Sequence, residues 1–222
     1  ECHIGNVEKA VTCLTRMADV MENVRSTTDL VAFPLFAQVA AQYSYVTGTD
    51  EYLPAVERAG QAVLSSTMAT PVFACFAHSA LGIRACLTSD QDAAREQLQR
   101  LERFAGWHAW GLTIDHVRGL LFDALGQTDE AIEAIETTLG YPQTGYGFRP
   151  LWSWAAYDCT RISLARGAPG DRERARTLID EALGHAQKLG MQPLIERLMG
   201  LKLEEQGISS TAADIYTSIV AV

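Results

Sequence analysis

No consecutively apolar run in the 222 residues reaches the ~18 needed to cross a bilayer, so a membrane-spanning helix is not expected. The N-terminus lacks a basic stretch followed by an apolar core, so no signal peptide is read. Basic residues are in the minority: 18 Lys and Arg against 27 Asp and Glu leave a formal charge of −9. That balance argues against a nucleic-acid surface, which needs cations to displace counterions. Cysteine is sparse, with five residues (Cys2, Cys13, Cys75, Cys86 and Cys159) and no paired spacing. An odd, scattered set reads as reduced thiols in a cytoplasmic protein. Alternating apolar and polar runs are nearly absent, which argues against a sheet protein. Also missing are Gly-x-Ser-x-Gly, Gly-x-x-x-x-Gly-Lys and His-Glu-x-x-His, and with them the signals for a serine hydrolase, a phosphate loop and a zinc protease.

What is present is helical periodicity. Apolar residues, 48% of the chain, recur at three and four over 7–24, 94–104, 130–139 and 172–189. Asp50, Asp90, Thr128 and Asp171 can each accept from the free amides of a first turn. Thr70-Pro71, Arg149-Pro150 and Gln192-Pro193 place proline where a helix begins and its missing N–H costs nothing. Gly106, Gly140 and Gly190 suit left-handed helix ends. About eleven helices with mostly short links are expected, the last over 212–222. Trp107 and Trp110 are read as opening one of them, with His108 and His116 two turns apart along it.

The same frame recurs along the chain. Gly119, Phe122, Gly126, Ala131 and Ile135 form a small–aromatic–Gly–small–large series across two helices and their turn. Gly119 and Ala131 allow close approach, Phe122 and Ile135 fill the space between pairs, and Gly126 turns the chain. Fainter copies centre on Ala10, Ala55, Ala94, Ala175 and Ala212, spaced more widely than the ~34 residues of a regular array. This series resembles the tetratricopeptide repeat, although Asp115 and His78 stand where that repeat places its tryptophan. The resemblance implies an all-α, right-handed α–α superhelix: a tetratricopeptide-like solenoid of antiparallel helix pairs forming one domain over 1–222.

Both ends read as internal. The first copy begins at its turn, Gly5, and 212–222 is an apolar second helix with no polar cap after it. The chain is therefore expected to be a fragment of a longer one. The stretches 174–183 and 189–197 resemble the helical segment of bacterial multidomain regulators. Those carry an ATPase module, tetratricopeptide-like helices and an output domain, either a class III adenylate/guanylate cyclase or a helix-turn-helix. Residues 214–222 are similar to the stretch that leads into the cyclase. The resemblance implies a parent class and no activity for this chain, because the cyclase's paired metal-binding aspartates are missing.

No catalytic, metal or cofactor site is expected. Cys75 and His78 share a helical face, but zinc needs three or four converging ligands. Asp129, Glu130, Glu133 and Glu136 read as a solvated face. The aromatic residues Trp107, Trp110, Tyr141, Tyr146, Phe148, Trp152, Trp154 and Tyr157 crowd one region, either to fill a gap in the core or as an interface hot spot. In tetratricopeptide folds the first helix of each pair lines a concave groove. Transferred by the repeat frame, that groove holds Gln38, Gln42, Tyr45, Ser79, His116, Leu120, Asp123, Trp154, Tyr157 and Arg161. The first functional reading is a non-catalytic interaction and regulatory scaffold. Its partner would be a protein or peptide, another domain of the parent chain, or a second copy in a homodimer. The alternative is an effector-sensing domain that binds a small molecule and controls an output domain. A closed cavity near Trp154 favours the sensor, and an open apolar strip favours the scaffold.

Overall fold

A computed structural model describes residues 1–22, 31–109, 111–140 and 149–207. Among them are ten α-helices: α1 (Val7–Glu22), α2 (Ala32–Thr47), α3 (Leu53–Leu64), α4 (Pro71–Leu87), α5 (Gln91–Leu101), α6 (Ile114–Ala124), α7 (Thr128–Leu139), α8 (Arg149–Arg166), α9 (Asp171–Leu189) and α10 (Gln192–Glu205). One short antiparallel ladder, β1 (His108–Ala109) with β2 (Leu112–Thr113), is the only sheet among the described residues. The eleventh expected helix, over 212–222, lies outside them, as do Trp110, Tyr141, Tyr146 and Phe148.

Composition explains which helices sit inside. α2 carries no charged residue and buries side chains all round, from Phe36 and Ala37 through Tyr43, Ser44, Tyr45 and Val46. α4 and α8 are likewise buried on several faces. A helix apolar on all sides must be central. α3, α5 and α9 instead bury one stripe each, such as Ala175, Ile179, Ala182, Leu183 and Ala186 on α9. The contacts follow suit. α2 packs on α4, α4 on α6, α6 on α8 and α8 on α10, while each odd helix from α3 onward packs on the even helices next to it in sequence. α10 also returns to touch α2 and the 3-10 turn Cys2–Ile4, so the inner layer meets itself.

α6 and α7 approach closely. Gly119 lies against them so tightly that a Cβ would overlap Ile135 Cγ1 and sit 3.0 Å from the Ala131 carbonyl oxygen. Thr70 caps α4 by accepting from Phe73 N–H at 3.3 Å, and Asp90 caps α5 by accepting from Ala93 N–H at 3.0 Å. Gly126, Gly167 and Gly190 take positive φ at helix ends.

Several local expectations are corrected. Gly140 ends α7 in right-handed geometry, with φ −75°. Asp50 precedes α3, whose cap is Tyr52, and Thr128 and Asp171 are first helical residues after Gln127 and Gly170. Asp171 still caps a turn, since it accepts from Ala168 N–H at 2.8 Å and from Arg166. Trp107 does not open a helix. Gly106 and Gly111, at φ +80° and +94°, bend the chain through the ladder instead, which puts His108 on β1 and His116 on α6. Periodicity missed this because the ladder strands are only two residues long.

Burial decides thiol chemistry. All five cysteines are free, and Cys13 is exposed. Burial pushes the Cys75 and Cys86 thiols up to about 12 and Cys159 up to about 11. Because the thiolate is the nucleophile, a disulfide reagent at pH 8 is expected to modify Cys13 in the native chain and to reach Cys75, Cys86 and Cys159 only in denaturant. Mass mapping checks this, and rapid native labelling of Cys159 would contradict the packing of α8.

Candidate functional site: a charged cluster inside the even helices

The inner helices bring polar side chains together deep in the molecule. Tyr45 lies in the last turns of α2, His116 in the first turn of α6, and Asp158 and Arg161 one turn apart on α8. Thr113 sets the start of α6 by accepting from His116 N–H at 3.1 Å. That cap aims the imidazole inward, where Nε2 lies 2.9 Å from Asp158 Oδ2. The Tyr45 hydroxyl donates to the same oxygen. Arg161 Nη2 lies 3.5 Å from Asp158 Oδ1 and donates to Asp123 Oδ2 at 2.8 Å.

Asp158 and His116 are 2% and 0% exposed. A charge so placed survives only with donors arranged around it. Burial alone would raise the Asp158 carboxyl, but His116, Arg161 and Tyr45 outweigh it and hold the group below its ordinary value. The Tyr45 hydroxyl goes the other way: burial and then the Asp158 charge push it well above the usual tyrosine value. A carboxylate can only accept, so His116 presents Nε2–H to it. His116 Nδ1 is buried with no hydrogen-bond partner among the described residues.

An aromatic layer covers the cluster. Trp154 packs edge-on against Tyr45 at 5.1 Å and Tyr157 at 5.9 Å between ring centroids. Its indole N–H donates to His3 Nδ1 at 3.0 Å. That bond requires a neutral imidazole, and burial depresses His3 to about 4. Arg197 from α10 lies over both rings, 5.2 Å from the Trp154 centroid and 5.8 Å from that of Tyr157. The same guanidinium donates through Nη2 to the carbonyls of Tyr45 at 3.2 Å and Val46 at 3.0 Å. Those carbonyls belong to the last turn of α2, where no intrahelical donor remains. One side chain therefore ends α2 and holds α10 to it.

A cavity of about 280 Å³ opens beside this cluster, bounded by Tyr45, Cys86, Asp123, Tyr157, Asp158, Arg161 and Arg197, with Ile83, Leu87, Leu120 and Ala124 as its apolar part. Five helices contribute. A larger open cleft of about 420 Å³ lies between α5 and α6. Its cations Arg95 and Arg118 pair with Asp92 and Asp115, so it presents no comparable convergence of polar groups.

Tyr45, Asp123, Tyr157 and Arg161, all placed in the groove by the repeat frame, line this cavity, and His116 and Trp154 stand directly behind it. The groove itself is not open at the other positions. Gln38, Ser79, His116 and Trp154 have no exposure, and Gln42 is buried, its amide pressed so closely on Gly111 that a Cβ there would overlap it. The inner helices pack on one another too closely to leave those faces free. Trp154 is thus core, and Trp154→Ala is expected to cost about 3–5 kcal/mol of stability through the void it leaves, read as a drop in the urea midpoint. His78 of the Cys75 pair bonds Gln97 instead, Nδ1 to Oε1 at 2.8 Å. Sequence reasoning missed Asp158, Arg197, Cys86 and His3. Asp158 had a signal: it is the only charged residue between Arg149 and Arg161, in an otherwise uncharged run, and such a charge is buried only when paired.

No family model matches the chain, and neither a curated protein nor a solved structure matches it.

Proposed function

We propose that this chain is an effector-sensing helical module, in which a small molecule enters the cavity beside Tyr157 and shifts the relation of α10 to α2. The carrying observation is that the residues lining the cavity are also those that tie the helices together. Arg161 joins α8 to α6, and Arg197 joins α10 to α2. A ligand that alters either bond has differential contact with two arrangements of the helices, which is the requirement for a switch. Pocket placement supports the reading too, since cavities between helices are common binding sites in helical proteins.

Contacts between each helix and the next in sequence support the right-handed superhelix of antiparallel pairs that the tetratricopeptide resemblance implies, with α2, α4, α6, α8 and α10 as first helices. In a parent regulator with an ATPase and a cyclase or helix-turn-helix output, such a module would report ligand occupancy to its neighbours. A binding role is preferred over catalysis because His116 is fully buried and the Asp158 carboxylate at the cavity wall is already committed to His116, Tyr45 and Arg161. The interaction-scaffold reading is less favoured, since the aromatic residues that would form its strip, Trp152 and Trp154, are buried.

The test is ligand-observed NMR with a panel of common small metabolites, run on the native chain and on Leu87→Trp. Leu87 is exposed at the cavity rim, so the larger ring plugs the mouth without disturbing the core. A compound bound by the native chain and lost in Leu87→Trp supports the sensor. A panel with no binder, beside a partner protein whose binding Leu87→Trp leaves unchanged, returns the chain to the scaffold reading.

A further inference from the structure

The hydrogen-bonding capacity around the cavity is unevenly spent. Acceptors at its mouth are nearly all used. The last-turn carbonyls of α4 are taken by the amides of Thr88, Ser89 and Asp90, and those of α6 by Leu125, Gly126 and Gln127. Gly48 N–H and Arg197 take those of α2. Asp158 accepts from Tyr45 and His116 through one oxygen and faces Arg161 with the other, and Asp123 accepts from Arg161. The donors are not used up. Arg161 donates to Asp123 and Arg197 to the Tyr45 and Val46 carbonyls, each through Nη2, and Arg197 also acts on the Tyr157 hydroxyl; a guanidinium carries five N–H groups, more than these partners take up. Arg197 has no carboxylate within 4.0 Å among the described residues; two carbonyls, two ring faces and the Tyr157 hydroxyl meet its charge instead. Arg197 lies 5.8 Å from the Tyr157 ring centroid, and Arg161 stands one turn beyond Tyr157 on α8, all three at the cavity wall.

Guanidinium forks with unspent N–H groups beside an apolar wall call for an acceptor-rich head on an apolar body. From this we infer that the cavity binds a small organic carboxylate. The carboxylate would dock between Arg161 and Arg197 against the Tyr157 edge, and the hydrocarbon would lie on Ile83, Leu87, Leu120 and Ala124. The inference rests on the sensor reading above and adds the chemical class of its ligand. It also gives the switch a mechanism, because a carboxylate on Arg197 competes with the α2 carbonyls for the same group.

Isothermal titration with three probes of one size, hexanoate, 1-hexanol and hexylamine, tests it, with phenylacetate as a second carboxylate. One saturable site is expected for a carboxylate, and at least tenfold weaker binding for the alcohol and the amine. Arg161→Gln and Arg197→Gln are each expected to weaken the carboxylate about tenfold or more, the size of one lost charge-assisted bond. Arg197→Lys keeps the charge and serves if the glutamine variant unfolds by circular dichroism. It is expected to retain part of the affinity. Alcohol or amine binding as tight as the carboxylate, abolished in Leu87→Trp, would overturn the carboxylate class and leave the sensor standing. Failure of every probe, or carboxylate binding unchanged in Leu87→Trp and both arginine variants, would overturn the inference, and the second result would move the site out of this cavity altogether.

Discussion

Gly119→Leu is expected to lower the melting temperature more than any other single change at the α6–α7 contact, and Gly119→Ala to lower it by less. The reason is geometric. The position has no room even for a methyl group, since a Cβ overlaps Ile135 Cγ1 and presses on the Ala131 carbonyl. Ile135 is fully buried and Ala131 is backbone-fixed in the first turn of α7, so neither can retreat without moving the helix. Overpacking of this kind costs about 1–3 kcal/mol, and the leucine should lie at or beyond the upper end. In a chain of this size each kcal/mol lost shifts the midpoint by about 2–4 °C. Ile135→Ala in the same chain removes the atom that the alanine meets. The double variant Gly119→Ala/Ile135→Ala should therefore lose less than the two single losses added together. Unchanged melting in Gly119→Leu would mean that α6 and α7 do not cross at this point.

Asp158→Ala carries the second large effect, about 3–5 kcal/mol, the usual cost of removing one side of a buried charge pair. Its removal strands the Tyr45 hydroxyl and His116 Nε2–H, and leaves Arg161 with Asp123 alone. Asp158→Asn keeps the volume and one acceptor oxygen, so it should cost less. The same network sets an acid limit. The folded carboxyl titrates below its ordinary value, so the stabilisation is complete above about pH 4, the unfolded value, and is lost as pH falls through the folded value. His3 acts in a different window. Its folded value near 4 lies below the unfolded 6.5, so the unfolded chain takes up the proton first and stability declines from pH 6.5 toward 4. Urea midpoints measured from pH 7 to pH 3 should fall in two stages. Asp158→Asn should remove the lower stage and His3→Phe the upper, and a profile identical in all three chains would contradict both assignments.

Much of this was legible in residue order. The uncharged run of α2 and the one-sided stripes of α5 and α9 distinguish inner from outer helices by composition alone. The Gly119–Ile135 series marked one close helix contact, where Gly119 meets Ala131 as expected and also Ile135, which was expected to fill the space between pairs. Of the groove positions transferred through the frame, Tyr45, Asp123, Tyr157 and Arg161 border the cavity. What stayed hidden was distance. Nothing local to Arg197 says that it reaches Tyr45, 152 residues away, and nothing local to His3 says that it meets Trp154. Groove exposure was misjudged for Gln38, Ser79 and Trp154 for the same reason: whether an inner face is open depends on how tightly the other helices close on it. The ladder at His108 escaped because two-residue strands have no periodicity to read.

The return of α10 to α2 has a consequence for how the chain folds. In a row of stacked helix pairs each unit meets only its neighbours, and the ends can fray while the middle stays intact. Here α2 and α10, the first and last inner helices among the described residues, hold one another, and Tyr45 reaches across 113 residues to Asp158. Contacts so remote in sequence form late, because the intervening chain must be ordered before they contribute. Folding should therefore be slower than helix content suggests, and melting should come as one event, with calorimetric and van't Hoff enthalpies in agreement. Cutting the Arg197 clasp should separate them, turning one transition into a progressive peeling from the α10 end.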